Sequence, residues 1–355
     1  MVMAFDGNPI EPNPKSGSMD PVQETISVVV TAWRRREFLG DALASVQSPA
    51  GWPLELVVVA DFSGGDVEQE VRRRNGKWIL SREGRLGAMT AEGVRRATGS
   101  LLAFLDDDDL FHPLRLDQVR SVFQKDPDLG FFHNSHVVFG NGDLPDFQPT
   151  GRPFHEIRIP PNRRTQSDCE LVWTEGAGYN GSSIVIRRSL LEDHLEELAE
   201  IRKAVPPYLF YRAWSAPKAL VLDSRPLTAV RMHASNMTPN RLQTRRARLQ
   251  RLASIATDLS ADSKEILAFL PGDVWCVPLR QMSSIGEIFA FANGARTSSR
   301  RLLQTALELL RRRRIWLPRW SLVALAVLSA GSPRGARAVF NRFIVRGGGS
   351  AIESP

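Results

Sequence analysis

Apolar residues in this chain fall in short unbroken blocks, separated by stretches with helical spacing. Thr25 to Ala32, Leu54 to Ala60 and Leu101 to Leu105 are almost wholly apolar. Runs of this length and content predict strands buried on both faces, as in a parallel sheet. Lys77 to Leu80 predicts a shorter strand. Between these blocks, Glu37 to Val46, Val67 to Arg74 and Ala88 to Ala97 carry apolar residues at helical intervals. The order β-α-β-α-β-α-β predicts an α/β fold with a mostly parallel, Rossmann-like sheet flanked by helices. Polar residues close three strands, at Thr31, Asp61 and Asp106. Parallel strands present the same end to one side, so all three are expected to face one crevice.

Farther along, the pattern predicts a helix over Leu110 to Gln124, with Pro113 in its first turn. Gly130 to Ser135 and His136 to Phe139 read as strand, and Asn141 to Thr165 as a long loop or β-ribbon excursion. Trp173 to Gly181 reads as a glycine-rich loop, Ser182 to Arg187 as a strand and Ser189 to Lys203 as a helix. Pro206-Pro207 interrupts the chain before a short helix to Trp214. Ala219 to Leu222 and Leu227 to Met232 predict the last strands. From Arg241 basic amphipathic helices are expected: Arg241 to Leu259, Ser299 to Arg314 and Arg334 to Arg346, around the apolar stretch Arg319 to Ala330. The expected organisation is a disordered tail over 1–24, a domain over 25–236 and a basic helical extension over 237–355.

Composition narrows the partners. The chain has 355 residues, 43% hydrophobic, enough for a large core. Its net charge of +7, with arginine far outnumbering lysine, suits anionic partners. Basic helices with apolar faces fit a membrane surface; arginine-rich helices also suit nucleic-acid backbones, the rival reading. Cys169 and Cys276 match no metal-ligand spacing and suggest no disulfide framework. The N-terminus lacks the apolar core of a signal peptide, and no stretch reaches transmembrane length. The expectation is a cytoplasmic protein, with peripheral docking on the inner face of the cell membrane as one hypothesis.

The chemistry concentrates at Asp106-Asp107-Asp108-Asp109, directly after the strand Leu101 to Leu105. Four adjacent carboxylates repel one another unless they are solvated, cap a helix or are neutralised by a cation. Hard oxygen ligands suit magnesium or manganese. The competing reading is a helix N-cap with a solvated acidic turn. His133 and His136, two apart on a strand, read as ordinary strand histidines. Trp173 and Tyr179 are open to two readings, stacking on an acceptor sugar or packing against their own loop.

These motifs, in order, resemble the family 2 glycosyltransferases, which have the GT-A fold. Ser27 to Arg35 is similar to the family's strand ending in Pro-Thr-Tyr-Asn-Arg, and Leu56 to Ser63 to its Val-Val-Asp-Asp-Gly-Ser. Phe104 to Asp109 is close to Phe-Leu-Asp-x-Asp-Asp, and Arg231-Met232-His233 resembles the closing Arg-x-His. The resemblance implies a metal-dependent, mostly inverting transfer from a nucleotide-sugar to a saccharide or lipid-linked acceptor, as in polysaccharide or glycolipid assembly. It implies that Thr31, Ala32, Asp61, Arg85, Asp106 and Asp107 bind the nucleotide-sugar. It also implies that Asp106, Asp108 and His233 hold Mn2+ or Mg2+. Two departures stand out: Ala60 replaces the first of the paired acids, and Pro206-Pro207 stands where the family often has Glu-Asp. Glu175, in the glycine-rich loop, is the chosen base. The departures leave room for a non-catalytic nucleotide-sugar-binding relative.

Overall fold

A computed structural model describes residues 24–47, 52–140, 154–162, 164–237, 244–270 and 277–292, with isolated positions elsewhere. The expected tail before Glu24, Cys276 and nearly all of the basic segments expected beyond residue 299 lie outside the described residues.

The strands are β1 (Ile26–Ala32), β2 (Leu54–Ala60), β3 (Lys77–Leu80), β4 (Leu101–Asp106), β5 (Leu110–Phe111), β6 (Leu129–Gly140), β7 (Glu156–Ile159), β8 (Ile184–Arg187) and β9 (Ala219–Met232). The helices are α1 (Leu39–Ser45), α2 (Asp66–Arg73), α3 (Leu86–Arg96), α4 (Arg115–Lys125), α5 (Gln166–Thr174), α6 (Leu195–Glu200), α7 (Val205–Ser215), α8 (Arg245–Phe269) and α9 (Val277–Ala292). All nine strands form one sheet in the order β3-β2-β1-β4-β8-β6-β9-β5, with β7 also paired to β9. The first four strands are parallel, as their apolar runs predict. The second half is mixed, because β8 runs antiparallel between β4 and β6.

Both faces of the sheet are buried. Alternate residues of β4 divide between two cores: Leu102 and Phe104 face α5, α6 and α7, while Leu101, Ala103 and Leu105 face α1 and α4. Removing apolar surface on both faces supplies the main stabilisation of the layer. Ile266 of α8 and Leu279 of α9 belong to the first core, together with Tyr208 and Phe210 of α7. The described part of the C-terminal extension is therefore packed on the sheet domain. Among the described residues no helix is long and apolar enough to cross a membrane.

Several local expectations change. Leu110 and Phe111 are not helical; they pair with Ala229 and Thr228 of β9. Trp173 and Thr174 end helix α5, which Thr165 and Asp168 start with a reciprocal capping box. Ser189 to Lys203 is not one helix: two short 3-10 turns, Arg188–Leu190 and Glu192–His194, precede α6, its one α-helical piece. Pro206 and Pro207 open α7 rather than interrupt it, occupying first-turn positions whose N–H groups need no partner within the helix. The two C-terminal strands are one, β9, with a register shift beside Asp223 and Pro226.

The start of α3 is closed by another segment. Its Leu86 and Gly87 N–H groups donate to the carbonyls of Arg202 (3.1 Å) and Ile201 (3.0 Å). The approach is so close that a Cβ on Gly87 would lie 2.2 Å from the Leu198 carbonyl oxygen. Only glycine fits there.

Candidate active site

Strand ends β1, β2 and β4 meet as the parallel pairing requires: Ala32 is level with Ala60, and Thr31 with Asp106. Arg34 takes a left-handed backbone conformation (φ 61°), and its N–H donates to Asp61 Oδ1 at 2.8 Å. The Thr31 hydroxyl hydrogen-bonds Asp106. Thr31, Ala32, Asp61 and Asp106 thus lie along one edge of the sheet.

The aspartate run turns sharply at the end of β4 and is folded inward. Asp107, Asp108 and Asp109 are buried and Asp106 is partly buried. Carboxylate oxygens of Asp106, Asp108 and Asp109 lie within 4.8 Å of one another. Like charges that close repel by about 4 kcal/mol per pair at an effective dielectric near 20. The solvated-turn reading of the run does not fit this burial.

Partners from distant parts of the chain hold the turn. Ser182 accepts from the Asp106 N–H (3.0 Å) and donates to Asp109 Oδ2 (2.7 Å). The Arg231 N–H donates to Asp109 Oδ1 (3.2 Å), and its Nε donates to the Asp108 carbonyl (3.1 Å). The Arg231 guanidinium lies against the rings of Phe38 and Phe139 and reaches Asp41. His233 Nε2 lies 3.0 Å from Asp108 Oδ2. Arg35 Nη2 bridges Asp107 Oδ1 (2.6 Å) and Asp108 Oδ2 (2.7 Å). The carboxylates closest to sharing a cation are therefore Asp106, Asp108 and Asp109, with His233 bound to Asp108 from the side.

The electrostatics follow from this crowding. Burial first, and then the charge of Asp108, push Asp106 up to about 7 against the pull of Arg35 and Thr31. The same two causes push Asp107 up to about 7. Asp109 lies well above the usual carboxylate range, again through burial and Asp108. Burial lowers the Arg35 pKa, but Asp108 and Asp107 outweigh it and hold the guanidinium above its ordinary value. Folded carboxylates that bind protons more tightly than unfolded ones stabilise the fold at low pH. That contribution is lost as pH rises through about 7. A cation needs the deprotonated forms. Any rise in melting temperature on adding Mn2+ is therefore expected to be larger at about pH 8 than at about pH 6. Differential scanning fluorimetry at both pH values checks this; an equal rise would contradict it.

The residues fit a hard divalent cation on their own chemistry. They offer three clustered carboxylates, and next to them Asp107 Oδ2 is buried with no hydrogen-bond partner among the described residues. An orphaned buried carboxylate oxygen is costly unless something positive meets it.

Comparison with known proteins bears directly on this arrangement. Residues 27–195 match the model for glycosyl transferase family 2. Over this segment the chain is similar to that family. An uncharacterized glycosyltransferase of Nostoc sp. is 30% identical over 135 residues, covering 36% of this chain and 42% of that protein. A putative glycosyltransferase of Bacillus subtilis, EpsH, is 21% identical over 223 residues, covering 60% of this chain and 62% of that one. The chain spans about two fifths of the length of the first curated relatives it matches. The crystal structure of S. aureus TarS superposes with a TM-score of 0.50 at 13% identity, covering 89% of this chain and 54% of that one. The fold is the GT-A fold of glycosyltransferases.

In the region matched to this family, the remaining expected residues make contacts of their own. Arg85 precedes α3 and pairs with Glu200 (2.7 Å) at the surface. Trp173 is buried among Phe210, Tyr211 and Tyr179, and its Nε1 donates to the Tyr179 hydroxyl (3.0 Å). The packing reading of this pair accounts for its contacts. Glu175 is the exposed residue that caps the C-terminus of α5. The head of α7 carries Val205, Pro206 and Pro207 and no carboxylate. His133 is buried, contacts the Tyr179 carbonyl and is pushed down to about 3 by burial, the state of a structural histidine.

Ser182 is a site residue that the sequence does not single out. Arg35 stands in Arg34-Arg35-Arg36 directly after the first strand, a run that as sequence fits phosphate contact and a solvated face equally. Ser182 carried no signal, since its role depends on β8 inserting beside β4.

Proposed function

We propose that this domain transfers a sugar from a nucleoside-diphosphate donor, UDP in the first instance, to an acceptor hydroxyl. One observation carries the reading: a buried cluster of carboxylates at the end of β4, in line with Thr31 and Asp61 at the ends of two parallel neighbours. Open α/β sheets bind ligands at such strand ends. The match of residues 27–195 to glycosyl transferase family 2 supports the same chemistry.

In this reading Asp61 accepts a hydrogen bond from the base, and Thr31 and Ala32 line its pocket. Asp106 and Asp108 hold Mn2+ or Mg2+, with Asp109 completing the oxygen set and His233 supporting Asp108. A cation held by these carboxylates would supply charge to neutralise the leaving diphosphate. The acceptor oxygen forms a bond to the anomeric carbon, whose bond to the diphosphate oxygen breaks with its electron pair leaving on the diphosphate. The acceptor proton passes to a carboxylate, for which Glu175 is the candidate. A single displacement of this kind inverts the anomeric centre.

A panel of nucleotide-sugars with Mn2+, assayed for hydrolysis and transfer, tests the function. Release of nucleoside diphosphate from one donor is the expected outcome; none from any donor would favour a binding-only relative. On the active donor, Glu175→Gln is expected to lower kcat by about 10²-fold or more with donor KM nearly unchanged. An unchanged kcat would remove Glu175 from the role. The acceptor class, saccharide or lipid-linked, and contact of the C-terminal extension with a membrane belong to this proposal. Co-sedimentation with anionic vesicles tests the latter.

A further inference from the structure

We propose that Arg35 is a built-in counter-cation for the aspartate turn, which a divalent cation must displace before it can bind. The inference rests on the metal-site reading above. It starts from how one nitrogen is placed. Arg35 does not meet a single carboxylate with its two-pronged edge, the geometry that makes arginine pairs strong. Instead Nη2 alone sits between Asp107 Oδ1 and Asp108 Oδ2, at 2.6 and 2.7 Å. That is the position of a point charge shared by two acids.

The fit is good for charge and poor for hydrogen bonding. Arg35 Nε is buried without an acceptor among the described residues, and Asp107 Oδ2 is buried without a donor. Arg35 Nη1 faces His233 Nε2 at 3.2 Å, an atom also 3.2 Å from Asn236 Nδ2. A purely structural ion pair would gain by satisfying these atoms. The same geometry crowds one oxygen that a cation would use. Asp108 Oδ2 already has Arg35 Nη2 at 2.7 Å, His233 Nε2 at 3.0 Å and Asn236 Nδ2 at 3.4 Å. Arg35 Nη2 is the nearest of the three and carries a full positive charge, so a divalent cation taking up that oxygen has to displace it.

The backbone allows such a departure. Arg35 lies in the irregular segment between β1 and α1, next to Arg34 in its left-handed conformation. Its side chain is about one fifth exposed, so it has a path to solvent. The metal-free and metal-loaded proteins would then keep a similar local charge balance by exchanging one positive group for another.

Titration with Mn2+ alone, followed by electron paramagnetic resonance of the free ion, tests this in the full chain. Arg35→Gln is expected to bind Mn2+ about tenfold more tightly than the natural protein, and Arg35→Lys to fall between them. Metal-free Arg35→Gln is expected to melt below the natural protein, with Mn2+ restoring the difference. If Arg35→Gln does not fold, the lysine variant carries the test: its ammonium cannot span Asp107, Asp108 and His233 together, so its binding must still tighten. Binding by the natural protein that neither substitution tightens would overturn the counter-cation role and leave the metal site standing. Binding by none of the three proteins would overturn both.

Discussion

Asp108→Asn is expected to lower kcat for sugar transfer by about 10³-fold while the protein keeps its melting temperature. The size follows from what the carboxylate does. Charge stabilisation by a bound cation amounts to several kcal/mol at the leaving group, and each 1.36 kcal/mol is about tenfold in rate. Asp108 shares the cation cluster with Asp106 and Asp109, and its charge is a cause of the raised pKa of Asp106, Asp107 and Asp109. Asparagine keeps the shape beside His233 and removes one charge from a crowded set. Repulsion falls, so stability is held or gained while activity is lost. A parallel loss of activity and melting temperature would point to a structural role instead.

Asp262→Ala is expected to have the largest effect on stability, a fall of about 10 °C in melting temperature. Asp262 lies on α8 and is fully buried. Its Oδ1 accepts from the Arg202 N–H (2.9 Å), and its Oδ2 from the Lys203 (2.8 Å) and Ala204 (2.9 Å) N–H groups. These are the orphan donors that lead into α7, and a carboxylate is well suited to a helix start. Breaking such a buried set costs about 3–5 kcal/mol, and a domain of this size loses about 2–4 °C per kcal/mol. The damage would spread, because Arg202 and Ile201 also accept from the first N–H groups of α3. Asp258→Ala serves as the control. It removes an ion pair to Lys203 (2.6 Å) that is partly exposed on both sides, a type worth about 1 kcal/mol at most. Equal falls in the two variants, read by thermal denaturation, would contradict the account.

The parallel half of the fold was legible because its signals are local. β2 falls on the expected residues, since a strand buried on both faces writes an unbroken apolar run; β3 also does, as a short, partly exposed edge strand. The antiparallel half depends on pairings between distant segments. Nothing near Leu110 and Phe111 announces that they pair with β9, and two residues are too few to carry a period. Helix α5 did have a local mark, Thr165 and Asp168 at capping-box spacing; the glycines that follow drew its last turn into the loop reading. The helix expected over Arg241 to Leu259 continues to Phe269 as α8, and Asp262 in that continuation is buried because the neighbouring loop needs acceptors there.

The candidate site divides in the same way. Thr31, Asp61 and Asp106 were legible as strand ends, and their alignment follows from parallel pairing alone. Arg35 meets Asp107 across 72 positions of sequence, and Ser182 meets Asp109 across 73. Such contacts are set by tertiary packing and leave no pattern in the chain.

The central claim is that three strand ends form one nucleotide-sugar site. A crystal structure of the protein with UDP and Mn2+ tests it most directly. The account predicts the uracil ring against Asp61 and metal density against Asp106 and Asp108. Nucleotide bound elsewhere, or metal density away from the aspartate turn, would contradict it.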